Sequence, residues 1–409
     1  MDQAFIDRIN AQSAYEFART APPEGFPKLP DLPLGRYTDQ GLWELERDHV
    51  FGRTWMFVAH TSELSGPGAY RTIDVVGRPL VLVRGDDGVV RAFFNACRHR
   101  GAPVVRDECG TCRLMVCQYH SWSYDHSGRL VRVPDERDFV GLQVDERSLV
   151  SVRCEAWGGL LFVNLDPDAE PLLDWLGPLT DELRQIVDAE LRVVTRHVTT
   201  HRCNWKIMAE GFLEVYHAKT IHPNTVAGVL RPAGAAISLV RNGHQRMYTP
   251  LAEAVIASGR DSHRGLPAIE DLGELFETTN PAYGIFPNLI TPLDKVGFPI
   301  LQFWPESVDR TRLERVWLAP ADGVEPVLHE TWARRLPAFE AVMEEDTKNL
   351  EPIQRSVETA AHGGIPLNYQ ERRIWHFHAT IDKNIQAAVG ADAIAEHLRV
   401  PDLLAAWVD

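Results

Sequence analysis

A chain of 409 residues is long enough for two or three domains with sizeable cores. Its composition, 44% apolar and 24% charged, is that of a folded globular protein, and no run of about 18 apolar residues marks a membrane span. A net charge of −15 without any basic block argues against nucleic acid as a partner. The first nineteen residues carry Asp2, Asp7 and Glu16 and lack an apolar signal core, so a cytoplasmic location is expected. Six cysteines in such a chain point to metal binding or free thiols rather than disulfides.

In chain order, residues 1–50 read as a short helix, an arm rich in proline (Pro22, Pro23, Pro27, Pro30, Pro33) and a second helix. Thr38 or Asp39 can cap that helix, which presents Leu42, Leu45 and Val50 inward. The arm and helix are expected to pack on the larger domain. Residues 51–165 change to short alternating runs broken by turn residues, a small antiparallel β domain. Asp87-Gly88 between two apolar runs is its clearest hairpin signal.

Within that domain stand Cys97-Arg98-His99 and Cys117-Gln118-Tyr119-His120. Each half is a tight loop that aims one thiolate and one imidazole the same way. Two cysteines on one iron and two histidines on the other suit a [2Fe–2S] centre, whose potential histidine raises. A structural zinc site accepts the same donors, but zinc fingers pair Cys with Cys and His with His. Cys109, Cys112, Cys154 and Cys203 are expected to be free, although Cys109 and Cys112 form a C-x2-C pair.

Residues 166–409 form a second, larger domain that begins after the Asp166-Pro167-Asp168 linker. Leu172 to Val194 reads as mostly helical. Asn204 to Pro223 follows as a helix with Glu210, Glu214 and His217 on one face, at i, i+4 and i+7. The helix unwinds, His222 comes from its frayed end, and Pro223 stops it. Two imidazoles and a distant carboxylate would make a 2-His-1-carboxylate facial triad, which leaves open positions on Fe(II). Ile237–Tyr248, Pro299–Trp304 and Leu313–Leu318 read as strands of an antiparallel sheet. The irregular stretch Leu251–Tyr283 reads as a substrate-access loop. Glu330–Glu358 reads as one long amphipathic helix. Trp375-His376-Phe377-His378 reads as a strand-like core run, and Ala387–Trp407 as a terminal helix. The fold class is therefore α+β.

Cys97-Arg98-His99-Arg100-Gly101, Cys117 through Tyr124, and Asn204-Trp205-Lys206 through His222-Pro223 resemble the motifs of the Rieske non-haem iron oxygenases. These are the α subunits of ring-hydroxylating oxygenases, and the likeness runs from about Tyr37 to about Asp382. It implies a [2Fe–2S] cluster on Cys97, His99, Cys117 and His120, and mononuclear Fe(II) on His217, His222 and a carboxylate. The carboxylate belongs to a Glu-Asp pair, which gives Asp346, with Glu345 as the alternative. The resemblance also implies a trimer, α3 or α3β3 with a small β subunit. In that trimer the cluster of one subunit faces the iron of the next, and Glu214 bridges His217 and His120. Gln118 and Ser121 stand where Pro and Gly are common, and Gly211 where an amide is common. Glu214 stands where most members have Asp. It is similar in this to a branch that includes quaternary-amine oxygenases.

No Gly-rich dinucleotide fingerprint follows a strand, so electrons must arrive from a separate ferredoxin or reductase. The expected activity is that of a terminal oxygenase component using O2 to mono- or cis-dihydroxylate an aromatic or other apolar substrate. N- or O-demethylation, or oxygenation of a quaternary amine, is the alternative for the same site. A non-catalytic Rieske carrier is a further one, although it needs no second metal. Met208, Phe212, Val215 and the 251–290 segment are the candidate pocket.

Overall fold

The structure, a computed structural model, describes residues 3–259, 263, 265–323 and 330–409. The chain divides into two compact units, Phe51–Leu172 and Met1–Val50 together with Leu173–Asp409.

The smaller unit is built from ten short strands. These are β1 (Met56–His60), β2 (Ala69–Asp74), β3 (Pro79–Arg84), β4 (Val90–Phe94), β5 (Cys109–Thr111), β6 (Met115–Val116), β7 (Ser123–Tyr124), β8 (Leu130–Arg132), β9 (Ser151–Trp157) and β10 (Leu160–Asn164). Seven form one antiparallel sheet in the order β1-β10-β9-β4-β3-β2-β5, and β6-β7-β8 form a second. The Gly85-Asp86-Asp87-Gly88 turn joins β3 to β4 in an antiparallel pair, as its sequence signals. Val81, Val83, Phe93, Met115, Trp122, Tyr124 and Leu130 pack with Cys97 and Cys117 into one core cluster, so both thiols belong to the hydrophobic interior.

Residues 166–172 fall in this unit rather than in the larger one, where the sequence placed them. Polar contacts hold them there: Arg53 pairs with Asp166 at 2.9 Å, the Trp55 indole donates to the Glu170 carbonyl, and Glu155 accepts from the Leu172 amide.

The larger unit opens with α1 (Gln3–Ala18) and α2 (Gln40–His49). Phe5, Ile6 and Ile9 are buried, and the Asp39 carboxylate caps α2 through the Leu42 amide at 2.7 Å. The expected helical cover over 172–194 is three short pieces: α3 (Leu172–Leu176), α4 (Leu179–Glu182) and α5 (Arg184–Val187). Val193 and Val194 instead enter β11 (Leu191–His201), whose run of β-branched residues favours strand.

After α6 (Trp205–Glu210) and α7 (Ala218–Ile221) come β12 (Ala236–Leu239) and β13 (Gln245–Pro250), then α8 (Glu253–Ala257) and α9 (Glu274–Thr278). They are followed by β14 (Thr279–Ile285), β15 (Leu289–Pro292), β16 (Phe298–Ser307) and β17 (Arg310–Pro320). The seven larger strands run β11-β17-β16-β15-β14-β13-β12, every pair antiparallel. The stretch read as an access loop thus contains two short helices, and its end is strand β14. Residues 260–262 and 264 of that stretch lie outside the described residues.

The long helix expected over 330–358 is two, α10 (Glu330–Thr347) and α11 (Leu350–Glu358). The tail departs furthest from the sequence reading. Trp375 to His378 lie in α12 (Arg372–Val389), and beyond Val389 only two short 3-10 turns form. Every residue from Arg372 to Asp382 is buried. The segment as a whole carries a helical period, but the short run Trp375 to His378 taken alone is aromatic and buried, which is why it reads as a strand. Most of its buried polar side chains find partners, although Arg373 Nη2 has no hydrogen-bond acceptor. Arg373 donates to Gln245, His376 pairs with the Val240 carbonyl, and Asp382 accepts from Arg36 and the Val400 amide.

Candidate metal centres

The two cysteine loops of the smaller unit are built alike. In each, the cysteine amide donates to the carbonyl five residues on, Cys97 to Ala102 at 2.8 Å and Cys117 to Trp122 at 2.9 Å. In each, the amide four residues on donates back to the cysteine carbonyl, and that residue is left-handed: Gly101 at φ 78° and Ser121 at φ 60°. The shared turn brings His99 and His120 together, with ring centroids 4.7 Å apart. Trp122 stacks on His99 at 4.9 Å and 12°.

Burial divides the four donors. Cys97 and Cys117 are interior, His99 is half-buried and His120 is exposed. Burial raises the Cys97 pKa and the adjacent Cys117 sulfur adds to it, while donors from Tyr124 and the His99 amide act against this. Two thiols crowded in an apolar core fit a site where metal replaces their protons. Tyr124 Oη accepts from the Arg98 amide at 2.9 Å, so its own hydrogen is free for Cys97 Sγ at 3.3 Å. A hydrogen bond to a ligand sulfur raises cluster potential. Tyr124 lay within the motif, but nothing in its spacing announced that contact.

Cys109 is exposed on β5, and the Cys112 carbonyl lies 2.9 Å from His126 Nε2. Burial pushes Cys154 and Cys203 up to about 12, where they stay thiols.

The second centre lies in the larger unit. The helix expected to carry Glu210, Glu214 and His217 on one face ends at Gly211. The chain tightens into i→i+3 turns, Phe212 to Ala209 and Leu213 to Glu210. Glu214 then accepts the amides of Tyr216 and His217 on Oε2, which starts the next turn much as an N-cap does. His217 precedes α7 and His222 follows it, so a single helical turn separates the two imidazoles.

Asp346, next to last in α10, completes the group. One donor atom each from His217, His222 and Asp346 lie within 4.8 Å of one another. Asp346 Oδ1 is 2.9 Å from His222 Nε2 and 3.5 Å from His217 Nε2. Burial raises the Asp346 pKa to about 6, against the pull of His222 and His217. Two imidazole nitrogens and one carboxylate oxygen this close together are a donor set that suits a mononuclear iron with open positions.

Each imidazole also meets a carboxylate at its other nitrogen. His217 Nδ1 bonds to Glu214 Oε1, and His222 Nδ1 lies 2.8 Å from Glu345 Oε2. Burial acts against a charge on His217, but Glu214 outweighs it and the pKa is raised. Glu345, the alternative ligand, therefore sits on the far side of His222 from Asp346.

Glu210 turns away from this group into a buried polar network that the sequence did not reveal. Its Oε1 is 2.9 Å from Tyr37 Oη and 2.7 Å from His378 Nε2. Arg36 Nε donates to His378 Nδ1 at 2.8 Å, so the remaining ring hydrogen is on Nε2. Nearby, Lys206 pairs with Glu46 at 2.7 Å, both fully buried. Of the candidate pocket residues, Met208 is interior and Phe212 stacks on Phe303 at 5.5 Å. Val215 packs with Ala235, Ile237, Met247 and Ala282.

A cluster-type Cys2His2 loop pair on one unit and a 2-His-1-carboxylate group on the other define a protein with two unlike iron centres. Residues 54–150 match the Rieske [2Fe-2S] domain, and residues 188–387 match the ring hydroxylating alpha subunit (catalytic domain). The carnitine monooxygenase oxygenase subunit of Escherichia coli (strain K12) is 35% identical over 207 residues, 49% of this chain and 55% of that one. The match thus spans about half the length of that relative. The glycine betaine monooxygenase oxygenase subunit of Chromohalobacter salexigens is 27% identical over 369 residues, 81% of this chain and 80% of that one. The fold is that of naphthalene 1,2-dioxygenase from Rhodococcus sp., with a TM-score of 0.75 at 22% identity, over 95% of this chain and 99% of that one. The chain belongs to the Rieske non-haem iron oxygenase α-subunit family. Its cofactors are one [2Fe–2S] cluster and one mononuclear non-haem iron. No helix among the described residues is long and apolar enough to cross a membrane.

Proposed function

We propose that this chain is a terminal oxygenase component that uses electrons from a separate ferredoxin or reductase to activate O2 and oxygenate an organic substrate. The observation that carries the reading is the convergence of His217, His222 and Asp346 in a chain that also holds the two cysteine loops. Cys97, His99, Cys117 and His120 hold the cluster; His217, His222 and Asp346 hold the iron. When bound, the cluster supplies electrons singly and the iron supplies open coordination positions for dioxygen. Glu214 keeps the His217 ring oriented through Nδ1, which leaves Nε2 to the metal. The exposed edge of His120 is suited to meet another protein surface.

In a homotrimer, His120 of the partner subunit would donate to Glu214. Glu214 Oε2 already takes two backbone amides. The free lone pair is therefore on Oε1, the oxygen that also takes His217. Both imidazoles then meet one oxygen rather than one oxygen each, which shortens the bridge.

Two substrate classes are in play. Aromatic or other apolar compounds agree with the apolar side chains along the iron segment. Quaternary amines are favoured by Glu214 in place of the commoner Asp and by the carnitine and betaine relatives. The test is O2 uptake by the iron-loaded protein with a surrogate reductase against both panels. Substrate-dependent uptake with formaldehyde or aldehyde release identifies dealkylation of an amine, and a diol or phenol identifies ring oxygenation. No stimulated uptake from either panel, with both metals present, would sink the proposal.

A further inference from the structure

Glu345 and Asp346 are neighbours on α10, and successive helical residues diverge by about 100°. Two adjacent carboxylates therefore normally serve different surroundings. Here both close on one imidazole: Glu345 Oε2 is 2.8 Å from His222 Nδ1, and Asp346 Oδ1 is 2.9 Å from His222 Nε2. Thr225 Oγ1 donates to the same Glu345 oxygen at 2.6 Å. The Glu345 side chain is 24% exposed, so it could turn to water and is instead held by two donors.

We infer that Glu345 is a positioning residue of the iron site: it fixes His222 in the tautomer that presents Nε2 and clamps that ring to the helix carrying Asp346. The inference rests on the assignment of His222 and Asp346 as iron ligands. A metal-bound imidazole that donates its other N–H to a carboxylate is oriented and made more basic. Glu214 does this for His217 from within the same turn, three residues away. Glu345 reaches across 123 residues. It therefore joins two separate ligand segments, so His222 and Asp346 behave as one preassembled half of the site. Thr225, three residues after His222, closes the ring of contacts.

The experiment uses the cluster-loaded chain depleted of mononuclear iron, titrated with Fe(II). Glu345→Ala removes both the acceptor and the charge; Glu345→Gln keeps an acceptor and drops the charge. Glu345→Ala should weaken Fe(II) binding on the order of 10- to 100-fold, the range for such outer partners. Glu345→Gln should lie between it and wild type. The nitrosyl adduct of the ferrous site should change its EPR rhombicity in Glu345→Ala, while the cluster spectrum and thermal midpoint stay put. Glu344→Ala, on the exposed side of the same helix, should match wild type throughout. Wild-type affinity and an unchanged nitrosyl spectrum in Glu345→Ala overturn the inference. So does an equal loss in Glu344→Ala, or a lowered midpoint, since either marks a role in helix packing. His222→Ala separates the two layers: if it binds Fe(II) as wild type does, the ligand assignment fails rather than the positioning role.

Discussion

The two metal centres are assembled by opposite routes. The cluster loops are closed locally: each is six residues held by two backbone hydrogen bonds, with the donors inside the turn. The iron group is closed at long range. Two histidines lie five residues apart, and the carboxylate, Asp346, lies 124 residues beyond His222 in another helix. A locally closed site can hold its donors without much of the surrounding fold. A site closed at long range depends on the packing that brings its segments together, and here each imidazole also meets a second carboxylate, Glu214 or Glu345.

The largest expected effect breaks one centre and spares the other. His217→Ala or His222→Ala should lose the mononuclear iron and abolish turnover, with the visible spectrum of the cluster intact. Cys97→Ala should bleach the protein. Iron analysis beside an absorption spectrum checks both. Bleaching in a folded His217→Ala variant would mean that the centres are not independent.

That contrast also explains what the sequence disclosed. Cys97, His99, Cys117 and His120 were readable because a tight loop fixes donor direction from spacing alone. His217 and His222 were read from a helix face and its frayed end; the pair was found, although the helix between Glu210 and His217 is not continuous. Asp346 needed the family likeness, and Glu345 on His222 Nδ1 could not be read, because a one-residue step on a helix says nothing about what faces it. In the larger sheet β16, β17 and the region of β12 and β13 were found, and β14, β15 and β11 were missed, the last in spite of its β-branched run. Helix α12 was missed because the short aromatic run Trp375 to His378 was read by itself as a strand, although the whole segment from Arg372 to Val389 carries a helical period and buries Arg372 to Asp382. Its partners, Arg36, Tyr37 and Glu210, are brought in from distant segments.

The next effect lies on the proposed path between centres. Glu214→Gln should keep both metals and the cluster colour and lose most activity. Glu214→Asp shortens the side chain by about one C–C bond, and a misplacement near 1 Å can cost on the order of 100-fold. The measurement is single-turnover transfer from reduced cluster to iron, with molecular mass by light scattering. Wild-type rates in Glu214→Gln, or an active monomer, rule out the inter-subunit bridge.

A smaller effect separates Glu210 from the iron group. Burial raises its pKa to about 8, although Tyr37, Lys206 and Arg36 pull it down and Glu371 adds to the rise; His378 is held neutral by burial. The folded chain thus holds a proton here that the unfolded chain releases near the ordinary value of 4.5. Stability from this group is present at low pH and declines as pH rises from about 4.5 through 8. Glu210→Gln keeps an acceptor for Tyr37 and His378 and removes the ionisation. Denaturation midpoints at pH 5.5 and 8.5 should show the variant gaining on wild type at the higher pH. Parallel midpoints at both would place the Glu210 pKa near normal.

The smallest effect returns to the two cysteine loops and tests whether their likeness is energetic as well as geometric. Gly101 and Ser121 occupy the same left-handed position, and only Ser121 has a Cβ. A non-glycine residue there costs about 1–2 kcal/mol. Glycine in turn loses about 0.5–1 kcal/mol more on folding through backbone entropy. The two terms oppose, so Ser121→Gly should stabilise the cluster-loaded chain by about 0.5 kcal/mol. Gly101→Ser should destabilise it by a similar amount, since a Cβ at Gly101 meets nothing within 4 Å and adds no clash. Chemical denaturation followed by loss of visible absorbance measures both shifts. Opposite signs would show that one backbone strain governs the two loops. A stabilising Gly101→Ser would mean that the exposed loop relaxes away from its left-handed turn, leaving the bond from the Cys97 amide to the Ala102 carbonyl as the element that holds it.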